Sequence, residues 1–138
     1  MSQESVEVVR ASYEAWNAGD MDAFRELHHP DAVLRMVEGW PEPGPYFGRD
    51  AVMREYQQLR DTWQRDTSEL IGDFIDVGDR VVVRFNWHGA GHGPESNMEF
   101  TVVYTVRKGS ILVAEYFLNQ AAALEAVGLS EQGAHADS

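Results

Sequence analysis

Residues 13–24 read YEAWNAGDMDAF, and they mark the first corner of the fold. Upstream of the corner, Val6, Val9, Tyr13 and Trp16 recur at spacings of three and four. That is the stripe of an amphipathic helix, predicted from Glu4 to Ala18. Gly19 suits the left-handed residue that closes such a helix, and Asp20 suits the N-cap of the next. The second helix is predicted from Met21 to about Leu27, burying Phe24 and Leu27, until His28-His29-Pro30 stops it.

Beyond the corner, AVLRMV (32–37) reads as a strand. EGWPEPGPYFG (38–48) holds three of the five prolines around Trp40, Tyr46 and Phe47, so irregular structure is expected, laid against the body. Arg49 to Arg65 is a predicted helix with Val52, Tyr56, Leu59 and Trp63 in register and Asp50 in its first turn. After Thr67 the period drops to two. SELIGDFIDV (68–77) and RVVVRFNWHG (80–89) flank the hairpin signal Gly78-Asp79. MEFTVVYTVR (98–107) turns at Lys108-Gly109 into SILVAEYFL (110–118), and Asn119 to Val127 makes a short helix closed by Gly128 and Leu129. The tail 130–138 is expected to be disordered. The order α–α–β–α–β–β–β–β plus a short helix is α+β: one domain over residues 1–129, with a curved mixed or antiparallel sheet wrapped around the N-terminal helices. A sheet bent in this way leaves a hollow suited to a ligand.

Composition narrows the function. The 138 residues suffice for one core, and the absence of cysteine excludes disulfides, thiolate metal sites and cysteine nucleophiles. The net charge is -12, Lys108 is the single lysine, and no basic run exists, so neither nucleic acid nor an anionic membrane is an expected partner. No apolar run is long enough to cross a bilayer, and the acidic start MSQESVEVVR is unlike a secretory signal, so cytoplasmic residence is expected.

Four segments in order, WNAGDMDAF (16–24), LHHPDAVLRM (27–36), FGRDAVMREY (47–56) and VYTVRKGSILVAEYF (103–117), resemble the nuclear transport factor 2-like superfamily, within it the SnoaL-like proteins and the steroid Δ-isomerases. The resemblance implies a cone-shaped α+β barrel, usually homodimeric, with a deep apolar pocket. It also implies a range of activities, from isomerases, polyketide cyclases, dehydratases and epoxide hydrolases to members that catalyse nothing known. Ketosteroid isomerase uses an Asp base with an oxyanion hole of Tyr and protonated Asp. Aligned on these segments, Ser12, Met36 and Val102 (or Val103) stand at those three positions. Methionine cannot abstract a proton and valine cannot donate a hydrogen bond, so that mechanism is excluded. The Asp–Arg–Asp cluster of an epoxide hydrolase is likewise missing from the concave faces.

Strand alternation, taken with that alignment, predicts the lining. Val81, Val83, Phe85 and Trp87 face inward from one strand, Phe100, Val102, Tyr104 and Val106 from the next, and Leu112, Ala114, Tyr116 and Leu118 from the last. Trp16 and Tyr56 face them from helices, and Met36 from the first strand. Trp16, Met36, Tyr56, Phe85, Trp87, Phe100 and Val102 are therefore the candidate ligand contacts, against the alternative that such side chains fill a closed core. Glu38, two residues beyond Met36, is a candidate base or else a solvated loop residue. Tyr104 and Tyr116 are candidate donors to an oxyanion or else buried tyrosines bonded to backbone. No metal site is expected: His88 and His92 are separated by a glycine-rich loop, His28 and His29 splay apart, and no third ligand joins either pair.

The opposite sheet face carries Arg84, Asn86, His88, Glu99, Thr101, Val103, Thr105, Glu115 and Phe117, a mixture suited to a homodimer interface with Glu99 and Glu115 set against Arg84. The expected function is binding of a small apolar or aromatic organic molecule, with cofactor-independent isomerase, cyclase or dehydratase chemistry. The alternative is a non-catalytic ligand-binding or protein-association module.

Overall fold

The corner forms as its residues dictate. In the computed structural model, which describes residues 2–63, 65–91 and 93–128, helix α1 (Ser2–Ala18) ends where Gly19 takes φ 75° and its N–H donates to the Trp16 carbonyl at 3.0 Å. Asp20 then accepts from the Ala23 N–H at 3.0 Å and caps α2 (Met21–Glu26). The expectations for Leu129, His92 and the tail 130–138 fall outside the described residues.

Strand β1 (His28–Arg35) begins four residues earlier than the sequence pattern suggests and ends two earlier. It pairs in parallel with the last strand, and the register slips between His28 and Val33, an irregularity that accommodates Pro30, which has no N–H for the ladder. Past Arg35 the chain leaves the sheet, and the Met36 N–H donates to the Pro43 carbonyl at 2.8 Å. The proline-rich segment is not wholly irregular. Tyr46 and Phe47 form a two-residue strand, β2 (Tyr46–Phe47), antiparallel to Val33 and Leu34, since both lie past the last proline and keep their N–H groups. Helix α3 (Arg49–Thr62) comes next.

Strands β3 (Arg65–Val77), β4 (Arg80–Ala90), β5 (Ser96–Arg107) and β6 (Ser110–Phe117) form an antiparallel meander, and α4 (Gln120–Ala126) closes the described chain. Sheet order is β2-β1-β6-β5-β4-β3, with β1–β6 the parallel pair, so the six-stranded sheet is mixed. Lys108 and Gly109 both take positive φ, which fits the tight β5–β6 hairpin. Helix α1 packs across β3 to β6, α3 packs on β1 and β2, and the main core lies between these helices and the sheet. Leu34, fully buried on β1, sits inside that core. Leu34→Ala should lower the unfolding free energy by about 2–5 kcal/mol in urea titration, the range of buried truncations that leave a cavity.

Two expectations about β6 and the outer face are corrected. Opposite β6, Val106 pairs with Ile111 but Thr105 pairs with Val113, so Leu112 is an extra residue. Ile111 takes the inward place, Leu112 lies outside both core clusters, and Leu118 is exposed. On the outer face, Val103 and Phe117 are not open to a partner as free hydrophobes. With Val82, Ile75 and Val77 they pack under α4 through Ala123, Leu124 and Val127. Arg84 pairs with Glu99 at 3.3 Å within the chain, while Glu115 faces Arg35 at 4.0 Å. Among the described residues, no helix is long and apolar enough to cross a membrane.

Candidate functional site

Between the sheet and the helices is a cavity of about 400 Å³. Eight of the residues expected from alternation line it: Trp16, Met36, Tyr56, Phe85, Trp87, Phe100, Tyr104 and Tyr116. The rings pack closely: Phe85 and Phe100 are tilted at 33° with centroids 5.6 Å apart, and Trp63 meets Trp87 edge-on at 5.2 Å. Exposed Gln58 and Thr62 and half-buried Glu55 and Leu59, all on α3, form its rim.

Four phenols cluster in this apolar space. The Tyr13 and Tyr104 hydroxyls are 2.7 Å apart, and those of Tyr56 and Tyr116 are 3.0 Å apart. Within each pair one hydroxyl donates to the other, and Tyr104 and Tyr116 bond across the pairs, so the chain of four phenols keeps one O–H proton free for a further acceptor. Burial pushes the pKa of Tyr13, Tyr56 and Tyr104 well above the ordinary tyrosine value, and neighbouring phenols raise it further. Tyr116 is raised by burial as well, although its bonds to Tyr56 and Tyr104 work against the shift. All four are neutral donors at physiological pH. The cluster can hold a carbonyl or phenol oxygen of a ligand, and it can take up negative charge that develops there.

Behind the indole wall lies a carboxylate that the sequence pattern did not single out. Asp66, almost fully buried on β3, accepts the Trp16 indole N–H at 2.7 Å and the Trp87 indole N–H at 3.1 Å on one oxygen. Its other oxygen faces the Arg60 Nε at 3.4 Å, and the Arg60 guanidinium carbon stands 4.3 Å from the centre of a Trp16 ring. One signal was available: two inward-facing indoles each need an acceptor, and a buried carboxylate next to their strands can serve both.

The chain matches the family model of the SnoaL-like domain over residues 9–114. The protein belongs to the SnoaL-like family. No curated protein matches it. Among solved structures it is similar to TerC co-crystallised with polyporic acid, at 22% identity and TM-score 0.73, covering 91% of this chain and 98% of that one. It is also similar to a protein of unknown function from Burkholderia pseudomallei with the nuclear transport factor 2-like fold (20% identity, 90% and 97% coverage, TM-score 0.74). A candidate polyketide cyclase from Xanthomonas campestris gives 24% identity, 91% and 97% coverage and TM-score 0.70. At such identities the likeness to these three is one of fold.

Within this SnoaL-like domain the remaining expected residues are dispersed. Glu38 is exposed in the turn after β1 and takes no part in the lining, because the strand that would have aimed it inward stops at Arg35. Val102 is fully buried in the core without reaching the cavity. Ser12 lines the cavity, but its hydroxyl donates to the Val9 carbonyl at 2.6 Å, the i−3 bond that short hydroxyls make inside a helix. The phenol from α1 comes instead from the next residue, Tyr13. Among the described residues Glu55 is the carboxylate that does line the cavity, and the sequence pattern did not single it out.

Gly89 makes room for the indole wall. A Cβ there would stand 2.3 Å from the Trp87 ring and 2.9 Å from the Trp63 ring, so one of two rigid indoles must move. Gly89→Ala should cost about 1–3 kcal/mol of stability and shift the tryptophan emission spectrum, read by denaturation and fluorescence.

Proposed function

We propose that this SnoaL-like protein binds a small, flat, largely apolar organic molecule in the cavity and holds an oxygen of that molecule on the Tyr13–Tyr104–Tyr116–Tyr56 cluster. The observation that carries this reading is the pairing of buried neutral phenols inside an aromatic cavity of about 400 Å³. Neutral phenols polarise a carbonyl and stabilise the enolate or phenolate formed from it, which suits cofactor-independent proton-transfer chemistry of the cyclase or isomerase type. The family supports that reading, since fold relatives include a candidate polyketide cyclase and a protein co-crystallised with polyporic acid. The empty isomerase positions at Ser12, Met36 and Val102 favour a second reading, in which the molecule is held but not turned over.

Native mass spectrometry of gently purified protein, followed by denaturing extraction, tests the first reading. It is supported by an aromatic molecule released in proportion to protein, and refuted by protein that is empty and ignores a panel of steroid-, polyketide- and terpene-like compounds. Tyr104→Phe should weaken the retained ligand about five- to twentyfold in calorimetric titration, the effect of deleting one buried hydrogen bond. We further propose a homodimer through the part of the outer face that α4 leaves open, around Arg84, Asn86, His88, Glu99 and Glu115; the same mass spectrum reads it directly.

A further inference from the structure

The cavity has a sign. Among the described residues no lysine, arginine or histidine lines it, and the one carboxylate that does is Glu55 on the rim. Among the described residues Glu55 makes no ion pair, and the nearby phenol of Tyr46 has its pKa raised by partial desolvation and then by that carboxylate. All four tryptophans of the chain, Trp16, Trp40, Trp63 and Trp87, line the same space. Ring faces carry the negative side of the aromatic quadrupole, and indole is the best of the aromatic partners for a cation. The wall already holds one cation in this way: the Arg60 guanidinium lies 4.3 Å from the Trp16 ring centre, where Asp66 balances its charge at 3.4 Å. The chain as a whole carries a net charge of -12, which disfavours the approach of anions.

We propose, building on the ligand-binding reading above, that the ligand is a flat aromatic molecule bearing a protonated amine, its rings among the four tryptophans and its ammonium beside Glu55. An aromatic carboxylate is the disfavoured counterpart, because at the rim it would shed water beside ring faces and the like charge of Glu55, and the buried phenols offer it hydrogen bonds without a positive charge. A neutral molecule of the same shape falls between the two. Charge, in addition to shape, thus selects what enters.

Three isosteric probes test this: naphthylmethylammonium, naphthylmethanol and naphthoate, titrated calorimetrically and by tryptophan quenching near neutral pH at low salt. The wild-type protein is expected to bind the ammonium at least about fivefold tighter than the alcohol, and naphthoate at least about tenfold weaker than the alcohol. In E55Q the ammonium-to-alcohol ratio is expected to fall to about one, and in E55K naphthoate is expected to overtake the ammonium. Alcohol binding equal to or tighter than the ammonium overturns the proposal while leaving the ligand-binding reading intact. A cation preference that survives in E55Q assigns it to the overall charge of the chain and also overturns the site. If none of the three probes quenches tryptophan emission or releases heat, the ligand-binding reading fails together with this one.

Discussion

Asp66→Ala is expected to lower the unfolding free energy by about 3–5 kcal/mol, more than any other single polar substitution in this chain. Its carboxylate is 2% exposed and serves three donors: the indoles of Trp16 and Trp87 and the Nε of Arg60. Removing it strands two indole N–H groups in the interior and leaves a guanidinium, only 16% exposed, without a counter-charge. Each stranded group costs its full desolvation, which is why breaking a buried pair costs more than the pair contributes when intact. Asp66→Asn keeps an acceptor for the indoles but turns an amide toward Arg60, so a loss roughly half as large is expected. Urea titration followed by tryptophan fluorescence measures both. A loss below about 1 kcal/mol for the alanine variant would show that solvent reaches these groups and that the carboxylate does not anchor the indole wall.

Acid is expected to remove about 3 kcal/mol of stability through one histidine. His28 is buried at the start of β1; its Nδ1–H donates to the Phe24 carbonyl at 2.8 Å, and its Nε2 has no partner among the described residues. A bare acceptor is tolerable there, whereas a second N–H would be a buried donor with nothing to meet it. Burial, opposed in part by the Phe24 bond and helped by the nearby Arg49, therefore holds the imidazole neutral and lowers its pKa from 6.5 to about 4. Above pH 6.5 neither the folded nor the unfolded chain protonates this ring, and it has no effect on stability. Between 6.5 and about 4 the unfolded chain takes up the proton and the folded one does not, so stability falls as pH falls, by about 1.4 kcal/mol per unit. Carboxylates contribute to acid unfolding as well, so the measurement is a comparison. Unfolding free energy against pH for the wild type and His28→Leu should diverge in slope across that window, and parallel curves would place a solvent path to Nε2.

The exposed Glu38 and the buried Asp66 exchange the roles that strand periodicity suggested for inward acids. Alternation from Met36 aimed Glu38 inward only on condition that β1 continued past Arg35, and the Met36–Pro43 hydrogen bond ends it. Asp66 precedes the segment where the period-two pattern is strong, yet β3 extends back to Arg65 because Asp66 pairs with Gly89 on β4. Leu112 failed for a related reason: one inserted residue in β6 reverses the parity of the positions after the hairpin, and a bulge leaves no mark in hydrophobic spacing.

The sequence by itself determined the helix corner at Gly19 and Asp20, the hairpin turns at Gly78 and Gly109, the α+β order and most of the aromatic lining. The corner, the turns and the element order rest on local rules (a positive φ, a cap, a period of 3.6 or of two), and the lining rests on strand alternation taken with the family resemblance. Only the tertiary structure decided which phenols meet, which carboxylate lies behind the indoles, that Glu55 reaches the cavity rim, and that α4 covers Val103 and Phe117 on the outer face. Tyr13 and Tyr104 are 91 positions apart and Trp16 and Asp66 are 50 apart. Contacts of that range depend on the register of several strands at once, and a shift of one residue in any of them turns a side chain to the opposite face of the sheet.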